Sequence, residues 1–429
     1  MIDPASSLLR PALGCVLCAA LPLLAAETSC RTQRSLPAPP EGRAIVGGDD
    51  WLRPGNLRFG LAHPARFMPG SRIDPPPRAE RKMPPQRQID VDRMQVLDPA
   101  DGAERSLRHL LDNRIDADGV LVLRRGRLVL DYRRTSFDPT SPRLLLEATH
   151  PILAMMVVKA SAEGLVDRNK GVDRVLPELG GNRGLGKLSL TRLLHGRTGL
   201  EWTPGERERW RQEAGWTPGG RLGVRAWLTA RSPWPRNAEA GADLPSGPEG
   251  ELLLWAAEKA TKKPAAQLLC ELQSGIGAQD AAFWASDGQG TPLADGLALS
   301  LRDFAALGQS LLDLRARPGR RAPVPAWFVE TLAGASPSGH GLPASWQGLG
   351  EEGAWQYRFV HPGGAGHRTA ILGAYGTSLY VDFDRATVVA IYATHPERAS
   401  PLLMASLRRS WDALVAGQRL AGHGREQVE

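Results

Sequence analysis

The sequence predicts an α/β (α+β) fold: an antiparallel sheet flanked by helices, with a helical subdomain. Three observations point there. Ile152, Leu153, Met155, Met156, Val157 and Val158 make a mid-chain helix that is apolar nearly all round. Such a helix belongs in the middle of a domain with other layers packed around it. Strand-like segments lie toward both ends of the ordered region: Gly119–Leu123 with Arg127–Tyr132, and Thr369–Asp382 with Ala386–Ala393. The stretch between them is helical and rich in loops, so the strands must meet by non-local pairing.

Order is expected to begin near Ile89. Glu104–Leu111 reads as a short amphipathic helix. A hairpin follows, with Arg124-Arg125-Gly126 as its turn. The loop Ser136–Arg143 then leads to the central helix, which Glu163-Gly164 closes. Leu188–Leu194 is a short helix running into the turn Thr198-Gly199-Leu200. Leu222–Ala230 and Glu249–Ala260 are amphipathic helices, the second stopped by Lys262-Lys263-Pro264. Ser300 caps a helix to Leu314, with Asp303 three residues on. The polar turn Phe383-Asp384-Arg385 separates the last strand segments. Pro401–Ala416 closes the fold on Leu402, Leu403, Leu407, Trp411 and Leu414.

The first turn of the central helix carries Glu147, Thr149, His150 and Pro151, a polar cluster at the mouth of an apolar rod. A helix N-terminus offers unpaired N–H groups and the positive end of the dipole, a setting that suits chemistry. A residue before proline avoids the α region. Thr149 as N-cap and His150 as first helical residue would accommodate Pro151, starting the helix about a turn late and leaving Glu147 in the loop.

Ahead of this body, residues 27–86 are rich in Pro, Arg and Gly. They read as an extension that wraps along the surface or is partly disordered, with Trp51, Leu57, Phe59 and Phe67 docking singly as anchors. The body is taken as 87–420. Residues 1–26 read as a secretory signal: Arg10 as the charged region, Pro11–Leu24 as the apolar run, and Leu24-Ala25-Ala26 as the cleavage site. Export to the periplasm or the medium is therefore expected, and no second apolar segment of spanning length follows.

Hydrophobic residues make up 42% and charged residues 23%, an ordinary globular balance. The net charge of +7 is nearly all arginine, with seven lysines among the 53 cationic side chains. The arginines are spread evenly, and no basic patch interleaved with aromatics marks a nucleic-acid surface. Cys15 and Cys18 would leave with the signal. Cys30 and Cys270 could then pair in an oxidising compartment. The favoured reading keeps them apart, as a thiol near the N-terminus and a core cysteine on the helix ending LLCEL, because sequence separation says nothing about distance.

Several local strings share one further property. The hairpin DGVLVLRRGRLVLDYRR is followed by Phe137-Asp138-Pro139, then Ala162-Glu163-Gly164-Leu165 and Val172-Asp173. Next come Leu176-Pro177-Glu178-Leu179, Leu193-Leu194 and Thr198-Gly199-Leu200-Glu201-Trp202. Gly373-Ala374-Tyr375-Gly376 and Tyr380-Val381-Asp382 complete the set. In order and spacing, over about Ile89 to Gly417, they resemble the β-lactamase-related serine hydrolases of the penicillin-binding protein and class C β-lactamase superfamily, and among these the aminohexanoate-dimer hydrolase-like branch.

The resemblance implies a β-lactamase/transpeptidase-like fold and a three-part site. A serine at the start of the central helix attacks a carbonyl, and a lysine one turn on handles its proton. A tyrosine from a Tyr-x-Ser or Tyr-x-Asn motif shares the proton traffic. A glycine-containing strand near the C-terminus lines the pocket and helps bind the oxyanion.

Here the motifs are degenerate. Counting back from Gly164 puts His150 at the lysine position and Glu147 at the serine position. Leu244 stands where the tyrosine would be, with Ser246 remaining. The third motif survives as Ala374-Tyr375-Gly376-Thr377, so Ser246, Tyr375, Gly376 and Thr377 are the expected pocket residues.

The favoured expectation is a catalytically inactive protein of this fold that keeps a pocket for a small-molecule or peptide-like ligand or an envelope partner. It calls for no cofactor, no metal and no nucleic acid. One alternative is an amide or ester hydrolase in which Glu147 and His150 act as a carboxylate–imidazole pair. Another is an interaction module that acts through the N-terminal extension. His361 and His367, in HPGGAGH, read as part of a loop entering a strand rather than as metal ligands. His195 reads as structural and Trp202 as core packing. Trp210 and Trp216 either line the cleft or form a lid packed on the body, and Ser246 is either a pocket residue or a turn serine.

Overall fold

The computed structural model describes residues 30–37, 46–77, 82–86, 89–237, 248–317, 322–334 and 340–417. The signal-like stretch lies outside them. Strand pairing starts at the hairpin Ala117–Arg124 and Arg127–Arg133, whose turn residues Arg125 and Gly126 both take positive φ, 52° and 75°. That is the turn twist that lets two strands close tightly. The strand Ala117–Arg124 also pairs with Thr387–Ala393, Val122 opposite Val389, and so joins the two ends of the body.

The resulting eight-stranded antiparallel sheet runs His340–Gly341, Ala354–Gln356, Phe359–His361, Arg368–Leu372, Ser378–Asp382, Thr387–Ala393, Ala117–Arg124 and Arg127–Arg133. Its alternation sorts side chains to two cores. Leu121, Leu123, Val388 and Ala390 face one, and Val120, Val122, Val389 and Ile391 face the other. Helix Leu301–Ala316, capped by the Ser300 hydroxyl on the Asp303 N–H at 3.0 Å, covers the first face. Pro401–Ala416, with Trp411 fully buried against Tyr380 at 4.9 Å, covers the other.

The central helix, His150–Ala162, is buried on nearly every side, as its all-round apolar sequence requires. It packs on Pro248–Thr261 and on a second sheet. That second sheet corrects the expectation for residues 27–86. It runs Arg31–Ser35, Gly70–Asp74, Ala282–Ser286, Pro292–Leu299, Arg143–Leu144, all antiparallel. The described part of the presumed extension thus supplies two strands, and Trp51, Leu57, Leu61, Met68 and Ile73 are buried core residues. Trp51 stacks on Phe67 at 4.8 Å and Trp216 at 6.0 Å.

Cys30 and Cys270 form a disulfide, with Cα atoms 5.6 Å apart. The expectation that they stay apart is overturned, because sheet pairing of Arg31–Ser35 carries Cys30 to the helix Ala265–Ile276. Two boundaries also shift. Glu104–Ser106 is a strand, and Ser106 caps a helix that starts at Leu107. Thr369–Asp382 is not one strand: it folds back at Gly373–Thr377 into a paired hairpin, Ile371 opposite Leu379.

Candidate functional site

The central helix is preceded by a 3₁₀ turn, Leu146–Thr149, that runs into it without a break. Glu147 therefore lies on a helical turn and not in an open loop. The α-helix does begin at His150, but Thr149 has helical dihedrals and its hydroxyl caps nothing. His150 itself is helical (φ −59°, ψ −40°) ahead of Pro151, against the usual pre-proline preference. Leu146 opens the turn at φ 49°, a left-handed conformation costly for a branched side chain.

The sheet end meets this turn at Gly373. A Cβ there would come within 2.9 Å of the Leu145 carbonyl oxygen and the Ala148 Cβ, so only glycine allows the approach. The chain then folds over Tyr375, at φ 60°, whose N–H donates to the Arg398 carbonyl at 2.9 Å. Burial raises the Tyr375 phenol above its ordinary value, opposed by the charge of Arg211. The Arg398 guanidinium sits 5.7 Å from the Tyr375 ring centre and forms an ion pair with Glu147 Oε1. Burial draws Arg398 down to about 10, yet 42% of its side chain stays open to solvent. Glu147 is buried, and its Oε2, like the Thr149 hydroxyl, has no hydrogen-bond partner among the described residues.

His150 faces elsewhere. It is fully buried, with Nε2 2.7 Å from Asp295 Oδ1 on the strand Pro292–Leu299. Gly250 makes room for it: a Cβ there would lie 2.5 Å from Nε2. Beside them, Glu251 accepts the Ala294 N–H at 3.2 Å on both oxygens. Burial, and then the charge of Asp295, push Glu251 well above the ordinary carboxylate range.

Among the described residues, Glu147 pairs with Arg398 and His150 with Asp295, and no hydrogen bond or ion pair joins Glu147 to His150.

Gly376 and Thr377 turn inward, Gly376 with its absent Cβ 3.1 Å from Ala393, while Tyr375 is half-buried. Leu244 and Ser246 lie outside the described residues. His361 is buried and lowered to about 4 by desolvation, and His367 bonds Asp384 at 2.7 Å. No cluster of three or more His, Cys, Asp or Glu able to hold a metal is present among the described residues. His195 packs on Tyr357 at 4.4 Å. Trp202 gathers with Trp210, Trp227 and Trp234 at 5.6–6.3 Å, and Trp210 and Trp216 are buried against the body. Sequence reasoning missed Asp295, Glu251 and Arg398. Asp295 carried a signal, as one carboxylate in the apolar run PLADGLAL. Arg398 carried none.

No protein-family model matches the chain, and no curated protein matches it. Solved structures do. A Bacillus anthracis protein named for 6-aminohexanoate-dimer hydrolase superposes with a TM-score of 0.75 at 18% identity, over 88% of this chain and 98% of that one. A Bacteroides dorei protein named for β-lactamase gives 0.52 at 12% identity, over 69% and 94%. Simvastatin synthase from Aspergillus terreus gives 0.52 at 14% identity, over 72% and 95%. With the antiparallel sheet, its covering helices and the apolar central helix, these matches establish that the chain has a β-lactamase/transpeptidase-like fold.

Proposed function

We propose that this is an exported protein of the serine hydrolase fold that has lost turnover and keeps its recess for binding a small-molecule or peptide-like ligand or an envelope partner. The observation that carries the reading is the Glu147–Arg398 ion pair at the position where the fold's nucleophile is expected. A neutralised carboxylate at the position where the resemblance expects a serine supports loss of turnover. His150, at the position of the lysine, is buried against Asp295. The buried Glu147 Oε2 and Thr149 hydroxyl, without partners among the described residues beside the half-open Arg398, favour a retained polar ligand. The Cys30–Cys270 disulfide and the signal-like N-terminus support export.

The test is turnover by the purified mature protein on a chromogenic cephalosporin, short-chain nitrophenyl esters and an aminohexanoate dimer. Glu147→Ala and His150→Ala proteins run alongside. The expected result is no turnover and no covalent labelling by a serine-directed fluorophosphonate. Turnover by the parent that either variant abolishes would overturn the proposal and make these two residues the mechanism.

A further inference from the structure

The far end of the central helix borders a groove of two adjoining chambers, away from Glu147 and His150. The first, about 360 Å³, has Met155, Met156, Leu268 and Leu272 in its wall. Its rim is charged but balanced. Lys159 lies 2.8 Å from Glu163 and 3.6 Å from Glu271, and Lys263 lies 2.5 Å from Glu271. The second chamber, about 880 Å³, lies between the C-terminal half of Leu301–Ala316 and the hairpin turn Arg125-Gly126. Gly275 and Pro323 wall both chambers, so the two adjoin.

The second chamber is not balanced. Lys82, Arg125 and Arg317 line it with no carboxylate partner among the described residues, against the single carboxylate of Asp313. The helix C-terminus accounts for a cation at Arg317. It does not account for Lys82 and Arg125, which come from other parts of the chain. One wall also carries a fixed acceptor. Gln309 Nε2 donates to Asp313 Oδ1 at 2.8 Å, which sets the amide orientation. Its Oε1 is left without a partner among the described residues, in a side chain only 6% exposed.

A wholly apolar ligand would leave three cations and that acceptor unmatched. A small free anion would leave the methionine-lined chamber unused, although apolar burial contributes about 25 cal/mol per Å². We propose that the groove binds a single-chain anionic amphiphile. Its apolar chain fills the chamber lined by Met155 and Met156, its phosphate headgroup meets Lys82, Arg125 and Arg317, and a headgroup hydroxyl donates to Gln309. Methionine suits a flexible chain because its own side chain adapts in shape. The inference holds whether or not the recess at Glu147 turns over a substrate.

The test is calorimetric titration of the full mature protein with dodecyl phosphate below its micelle concentration. Inorganic phosphate and dodecanol serve as separate probes of head and tail. Dodecyl phosphate is expected to bind, and each half alone to bind much more weakly. The Arg125→Glu/Arg317→Glu protein, changed only at exposed positions, should lose affinity by about tenfold or more, since each reversal places a like charge beside the headgroup. Ala322→Trp, at the wall of the apolar chamber, should lose dodecyl phosphate while leaving the weak phosphate response unchanged. No binding of dodecyl phosphate, equal binding of free phosphate, or affinity indifferent to both variants would each overturn the proposal.

Discussion

Glu147 and Arg398 stand 251 residues apart in sequence and neutralise each other at one end of the central helix. Removing one partner of such a pair costs more than removing both, because the survivor is left desolvated without a counter-charge. Arg398→Met is therefore expected to destabilise the protein by about 2 kcal/mol, and Glu147→Met/Arg398→Met by clearly less. Denaturant unfolding of the single variants and the double closes the cycle. A coupling near zero would show that the pair is screened by solvent and holds nothing in place.

Two buried acids give a second residue-scale expectation. Burial holds Glu251 well above the ordinary range and Asp303 at about 7, against 3.8 for a free aspartate. The folded state keeps protons that the unfolded chain releases. This contribution is full below the unfolded carboxyl values and is lost as pH rises through the folded ones. For Asp303 this should remove up to about 1.4 kcal/mol of stability per pH unit from pH about 4 to about 7, and Glu251 acts in the same direction. Glu251→Gln should flatten its share of that slope, measured by urea unfolding at pH 5, 6, 7 and 8; an unchanged slope would place the proton elsewhere.

At the scale of elements, the helix Pro248–Thr261 shows how tertiary contact reverses a local rule. Gly→Ala inside a helix usually stabilises by about 1 kcal/mol. At Gly250 the new Cβ would meet His150 Nε2 at 2.5 Å, so Gly250→Ala should instead cost about 2 kcal/mol by driving the imidazole off Asp295. Thermal unfolding of that single variant decides the sign. The strands Ala282–Ser286 and Pro292–Leu299 passed unread for a related reason. Buried on both faces, they show no alternation, and a short apolar run can equally be a piece of buried helix. The bend at Gly373–Thr377 was hidden too, since the left-handed Tyr375 is imposed by its hydrogen bond to Arg398 and not by residue type.

For the whole molecule, the disulfide closes the largest loop. Cys30 and Cys270 are 240 residues apart in sequence, and linking them restricts the unfolded chain while tethering the strand Arg31–Ser35. Cys30→Ser/Cys270→Ala should lower stability by about 3 kcal/mol, with early loss of hydrogen-exchange protection in that strand and in its neighbour Gly70–Asp74. A protein as stable without the bridge would mean that the sheet alone holds the N-terminal strand. Native protein recovered from an oxidising compartment should show no free thiol at either position; two reactive thiols would count against export.

By itself the sequence determined the fold class and several of its elements, though not the second sheet. The apolar helix, the Arg125-Gly126 hairpin and the closing helix at Pro401 each follow from local periodicity and turn chemistry, which act within a few residues. It also placed Glu147 and His150 at the head of the central helix. Only the tertiary structure decided what those two residues do. Their partners Arg398 and Asp295 arrive from 251 and 145 residues away along the chain, carried by strand pairing that no local pattern specifies. The same holds for Cys30 and for the buried Trp51. A polar group's role is set by what is packed against it, and that is a property of the closed sheet.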